Sequence, residues 1–120
     1  MKETAAKLKL FFSGFGLPAY TLRSVPETVT LPYIVYSIVE PRWDIPASFY
    51  AQVHYPKNML ENLLTKADEI IAEIGEGYEI TLPNGYLMIY HDNQRSITGD
   101  DEVQSAYLPL ILRAYKQPGT

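Results

Sequence analysis

The stretch from Asn58 to Gly75 constrains the fold more than any other part of the chain. Leu60, Leu63, Leu64, Ala67, Ile70, Ile71 and Ile74 recur at spacings that place them on a single stripe of a helix. Lys57, Glu61, Asn62, Lys66, Asp68, Glu69 and Glu73 take the opposite side. Both ends are also signalled, because Asn58 with Glu61 three residues on suits an N-terminal capping box and Gly75 suits the C-terminal cap. A helix near 58–74 with one apolar stripe buries one side and leaves the other in water, so it calls for a flat apolar partner.

The rest of the chain offers a sheet as that partner. Tyr33 to Val39 is rich in β-branched and aromatic residues, lacks glycine and is apolar on both faces, as in a covered strand. Pro41-Arg42-Trp43-Asp44-Ile45-Pro46 makes a turn. Beyond it Phe49, Ala51, Val53 and Tyr55 alternate with Ser48, Tyr50, Gln52 and His54, a strand with one drier face. Tyr78 to Leu82 and Tyr86 to Tyr90 flank Pro83-Asn84-Gly85, where Asn-Gly suits the positive φ angles of a tight hairpin. Val103 to Lys116 reads as a long last strand, in which Pro109 requires an edge, a bulge or a break.

Residues 3 to 13 set Ala6, Leu8, Leu10, Phe11 and Phe12 among lysines, which predicts a short first helix stopped by Gly14 and Gly16. Leu17 to Pro32, broken by Pro18, Pro26 and Pro32, reads as an ordered linker. His91 to Glu102 is polar and reads as an exposed, mobile loop, and Gln117 to Thr120 as a frayed tail. The expected class is therefore α+β: a mainly antiparallel sheet of about five strands with helices packed on one face, in the order α-β-β-α-β-β-β. A length of 120 residues suits one domain over 1–120.

Function is bounded mainly by exclusion. The chain has no cysteine, which removes thiolate nucleophiles and zinc-thiolate sites. A formal charge of -4 opposes gripping a phosphate backbone, and no apolar run has the length of a membrane span. No nucleophile elbow, dinucleotide fingerprint or phosphate-binding loop is present, and His54 and His91 lack neighbouring ligand residues. No enzymatic activity, metal or cofactor is expected. Asp92, Asp100 and Asp101 read either as a cluster for a hard cation or acid-base work, or as a solvated acidic loop. Arg42 and Trp43 read equally as an interface anchor or as a turn folded onto the sheet edge. Ten tyrosines suit a surface half buried by a partner as well as half-exposed strands.

Phe11-Phe12-Ser13-Gly14-Phe15-Gly16-Leu17-Pro18-Ala19-Tyr20, then Ser24-Val25-Pro26-Glu27 and Leu31-Pro32-Tyr33-Ile34-Val35-Tyr36, resemble the tail-terminator and tail-completion proteins of tailed bacteriophages. Lys66-Ala67-Asp68-Glu69-Ile70-Ile71 and the acidic loop leading into the strand from Asp100 to Tyr115 extend the resemblance over nearly the whole chain. It implies a structural virion protein, made in the bacterial host cytoplasm, that assembles into a ring, commonly a hexamer, at the head-proximal end of the tail. Its implied partners are other copies of itself, the tail tube protein and the head-connector proteins, with DNA passing through unbound and no membrane involved. A net acidic subunit agrees with that, since it repels the phosphate backbone.

A closed ring needs two different complementary patches per subunit. Candidates are Arg42 and Trp43 in the first hairpin turn, the strand bearing Pro109, whose edge could accept a neighbour's backbone, and the loop with Asp92, Asp100 and Asp101, which could order on assembly. Two rival readings are a small-molecule-binding or enzymatic α+β domain using the acidic 91–102 loop, and a monomeric protein-binding adaptor.

Overall fold

A computed structural model describes residues 2–92 and 94–117 of the chain. Two helices and seven strands follow one another as α1 (Lys2–Ser13), β1 (Ala19–Thr21), β2 (Tyr33–Tyr36), β3 (Ala47–Pro56), α2 (Leu60–Ile74), β4 (Tyr78–Leu82), β5 (Gly85–His91), β6 (Ser96–Gly99) and β7 (Val103–Lys116). In the sheet the order is β1-β2-β3-β7-β5-β4, with β6 paired to β7. β1 runs parallel to β2 and the other pairings are antiparallel. The protein is α+β as expected, but its sheet is mixed and has seven strands in place of five.

The two additional strands lie where the sequence read as linker and mobile loop. No residue of β1 is buried and all of β6 is exposed, so neither carries the apolar periodicity that marks a strand. Each is held by a longer neighbour whose backbone would otherwise be unpaired: Ala19 to Thr21 against Ile34 to Tyr36, and Ser96 to Gly99 against Gln104 to Tyr107. The expected frayed tail lies, from residue 118 on, outside the described residues.

β7 is the central strand. β3 pairs with it from Val103 to Leu112 on one side. On the other side β6 covers Gln104 to Tyr107 and β5 covers Leu110 to Lys116. Pro109 sits between those two partners, where the carbonyl of Pro109 accepts the amide of Asp92 at 2.8 Å. Backbone N–H and C=O of one strand residue point the same way, so the donor that Pro109 lacks is missing where the ladder is interrupted. The proline thus marks a break, and β7, paired on both sides, offers no free edge to a neighbour.

Local chemistry departs from expectation at two turns. α2 begins at Leu60 with Met59 at the cap position and no side-chain cap, so Asn58 does not cap it. Its C-terminus behaves as expected, with Gly75 at φ 54° and its amide donating to the Ile71 carbonyl at 2.9 Å. In the β4–β5 hairpin, Leu82 pairs with Gly85, so Pro83 and Asn84 form the corner, and neither has positive φ. Proline's fixed φ suits the first corner position of such a turn. Gly85 is needed for another reason: a Cβ there would lie 2.0 Å from the Tyr115 carbonyl oxygen.

Both helices pack on one face of the sheet. Leu8, Phe11, Phe12 and Phe15 from α1 and its exit, and Leu63, Ala67, Ile70 and Ile74 from α2, meet strand residues that include Ile34, Phe49, Val53, Leu87, Ile89, Leu108, Leu110 and Leu112. Phe12 stacks on Tyr36 at 4.5 Å. Lys66 of α2 donates to the Phe15 carbonyl at 2.6 Å, which ties α2 to the exit of α1. The longest dimension of the molecule, 53 Å, reflects the reach of β3 and β7.

Candidate functional site

With both helices on one side, no helix covers the opposite side of the sheet among the described residues, although Val35 of β2, opposite Gln52 on that side, is buried. Strand alternation assigns the occupants of that side: Ser48, Tyr50, Gln52 and His54 on β3, Tyr107, Pro109, Ile111, Arg113 and Tyr115 on β7, and Tyr86, Met88 and Tyr90 on β5. Their partners at odd positions of β3 and even positions of β7 are the buried ones. The β3 assignment matches the drier and wetter faces read from the sequence.

Arg113, and Glu79 of β4 opposite Met88, are the formal charges on this face at neutral pH, although charged residues make up 20% of the chain. The Arg113 guanidinium is neutralised at 2.8 Å by Asp44, from the turn before β3. Antiparallel sheets exposed on one side normally present polar and charged residues to water. This face instead presents tyrosines in contact: Tyr50 and Tyr107 have ring centroids 5.3 Å apart, and Tyr86 and Tyr115, directly opposite in the ladder, stack at 5.0 Å. Arg113 lies 5.1 Å from the Tyr115 ring centre. The Tyr90 phenol approaches that of Tyr115 to 3.5 Å, and this contact, followed by burial, raises its pKa above the ordinary tyrosine value. At the far end Tyr33 packs on His54 at 5.0 Å and Tyr20 on Tyr33 at 6.2 Å.

Most of these side chains are half buried by one another, with 36% of Tyr107 exposed. Aromatic, hydroxyl-bearing and sparing in charge, the face has the composition of a protein-protein contact: it desolvates readily, and each phenol offers a hydrogen bond at the rim. His54 adds a polar element. Its Nδ1 is 2.6 Å from Ser105 Oγ, and burial lowers its pKa below the ordinary histidine value, which favours the neutral ring.

The residues singled out from sequence are scattered around this face and do not form one site. Trp43 pairs by an isolated bridge with Ala114 at the end of β7, is 37% exposed, and lines a shallow cleft with Glu3, Leu82, Pro83 and Asn84. Arg42 is exposed and opens the turn, its carbonyl accepting the Ile45 amide at 3.1 Å. Asp44 holds φ 59° in that turn. Asp92 lies beside Pro109, at the end of β5. Asp100 lies at the β6–β7 tip, its carboxylate accepting the amides of Glu102 and Val103 at 2.8 Å each. Those two bonds lower the pKa of Asp100. The neighbours Val103 and Pro109 are separated by roughly 20 Å of strand, so Asp92 does not join Asp100 and Asp101. Among the described residues, no group of three or more His, Asp or Glu is arranged to hold a metal ion.

The tyrosine face was only partly legible. The number of tyrosines was visible, but which of them share a face depends on register, and that became readable only for β3. No protein-family model matches the chain, and no curated protein matches it.

Proposed function

We propose that the chain is a structural subunit, not an enzyme, that closes into a ring, in the role its resemblance to phage tail terminators implies: ending the tail tube at the head-proximal end and meeting the head connector. The observation that carries this reading is the tyrosine-rich face of β3, β7 and β5, on which charges are few. A lone subunit gains nothing from exposing it, whereas a heterologous ring needs such a desolvating patch on every subunit. Its partners are then neighbouring copies laterally and tail-tube and connector proteins axially. The net charge of -4 keeps the assembly from adhering to DNA that passes through it.

The test is solution mass by light scattering over a concentration series, with negative-stain microscopy of the same samples. Rings with a central hole are expected, and the double variant Tyr50→Asp/Tyr107→Asp should dissociate them while keeping the circular dichroism of the parent. A strict monomer at all concentrations, or rings indifferent to those substitutions, would overturn the assignment of this face.

A further inference from the structure

We propose that the outer edge of β6 pairs with the same edge of a second copy of this chain, antiparallel, about a two-fold axis at Thr98. The amide of Asp100 donates to the Val103 carbonyl within the hairpin at 2.9 Å, which fixes the direction of the β6 backbone. Thr98 and Ser96 then point their N–H and C=O groups at β7, while Ile97 and Gly99 point theirs outward. Among the described residues no strand meets that outer edge.

Sheet edges are ordinarily protected by charge, proline or brevity. The outer edge of β4 carries Glu79, and Pro18 directly precedes β1. β6 reads Ser96-Ile97-Thr98-Gly99, uncharged and without proline, with 41% of the Ile97 side chain exposed. An unpaired N–H and C=O at alternate residues is complementary to an extended backbone, and the side chains specify which one.

A two-fold axis at Thr98 sets Ile97 opposite Gly99 of the second copy, where no side chain competes for the space over the isoleucine. The same register brings Arg95, just before β6, towards the Asp101 corner of the second copy, and does so twice. Arg95 already pairs with Asp68 of α2, and the guanidinium fork keeps further donors for a second carboxylate. Shifting the axis to Ile97 moves Asp101 away from Arg95, and shifting it to Gly99 sets Ile97 against Asp101. Charge and shape therefore select one register. The contact is small and belongs to the weak class, so it is best detected by trapping. It uses a different part of the molecule from the tyrosine face and does not depend on the ring.

The absence of native cysteine makes the trap clean. In this register residue 98 faces its own copy in a non-hydrogen-bonded pair, at a Cα separation of about 4.5 Å that suits a disulfide. Thr98→Cys should oxidise to a covalent dimer about tenfold or more faster than Ser96→Cys, the gain from holding two thiols in register. Adding Asp101→Arg should slow the cross-link at low salt. Adding Ile97→Pro, which removes an outward N–H that the subunit itself does not use, should bring it down to the Ser96→Cys rate. Equal rates for the two single cysteines, or a Thr98→Cys rate unaffected by both second substitutions in variants with parental circular dichroism, would overturn the proposal.

Discussion

Replacing Gly85 by alanine separates two explanations of the β4–β5 hairpin. A Cβ at this position would lie 2.0 Å from the Tyr115 carbonyl oxygen, 3.0 Å from its carbonyl carbon and 3.2 Å from the Gln117 nitrogen. Ordinary contact begins near 3.4 Å, and the obstructing atoms are backbone, so the end of β7 has to retreat. That retreat opens the bond from the Gln117 amide to the Asn84 carbonyl, 2.9 Å long, and disturbs the pairing of Tyr86 with Tyr115. Overpacking of this kind costs about 1–3 kcal/mol, and each lost hydrogen bond adds about 1 kcal/mol. The lower chain entropy of unfolded alanine offsets about 0.4–1 kcal/mol. Gly85→Ala should therefore lose about 2–4 kcal/mol. Asn84→Ala, at a corner position with negative φ whose carbonyl bond survives the change, should stay within about 0.5 kcal/mol. A hairpin with positive φ at Asn84 and Gly85 predicts a different pattern, because alanine in the left-handed region costs about 1–2 kcal/mol at either site. Urea unfolding followed by circular dichroism decides between them. With a slope of about 2 kcal/mol per molar, the middle of the usual range in urea, the Gly85→Ala midpoint should fall by about 1–2 M. Comparable losses for the two variants would refute the close-approach argument.

Two further outcomes follow from the division of the sheet into a buried and an open face. Leu108→Ala, at 1% exposure beneath the helices, should cost about 2–5 kcal/mol, whereas Ile111→Ala on the open face should cost distinctly less by the same urea assay; equal losses would mean that the open face is buried too. His54 should make stability fall as pH drops. Its folded pKa lies below the unfolded value of about 6.5, so between those two values the unfolded chain binds more protons and folding weakens on acidification through that window. The urea midpoint of the parent should drop more between pH 7.5 and 5.5 than that of His54→Asn, and parallel slopes would remove His54 from the explanation.

Legibility followed the physics of each element. α2 and β3 were readable because each has one buried and one wet side, so burial writes a period of 3.6 or 2 directly into the residues. β1 and β6 were unreadable because they are held through backbone bonds, which any residue other than proline can make. Asn58 and Asn84-Gly85 matched real turn chemistry that the chain does not use: the first turn of α2 goes without a side-chain cap, and Pro83 already sets the hairpin corner. The acidic residues near 91–102 are close in sequence, yet β6 runs between Asp92 and Asp100 and carries them to different ends of the hairpin.

The sequence by itself determined the α+β class, the helix that lies across the sheet, the faces of β3 and the absence of cysteine chemistry, since each depends on residues near one another or on composition alone. Only the tertiary structure decided that β7 is central, that Pro109 falls in the gap between β6 and β5, and that tyrosines from β3, β5 and β7 share one face. Those properties depend on strand order and register, and shifting a strand by one residue would send its whole set of side chains to the other side.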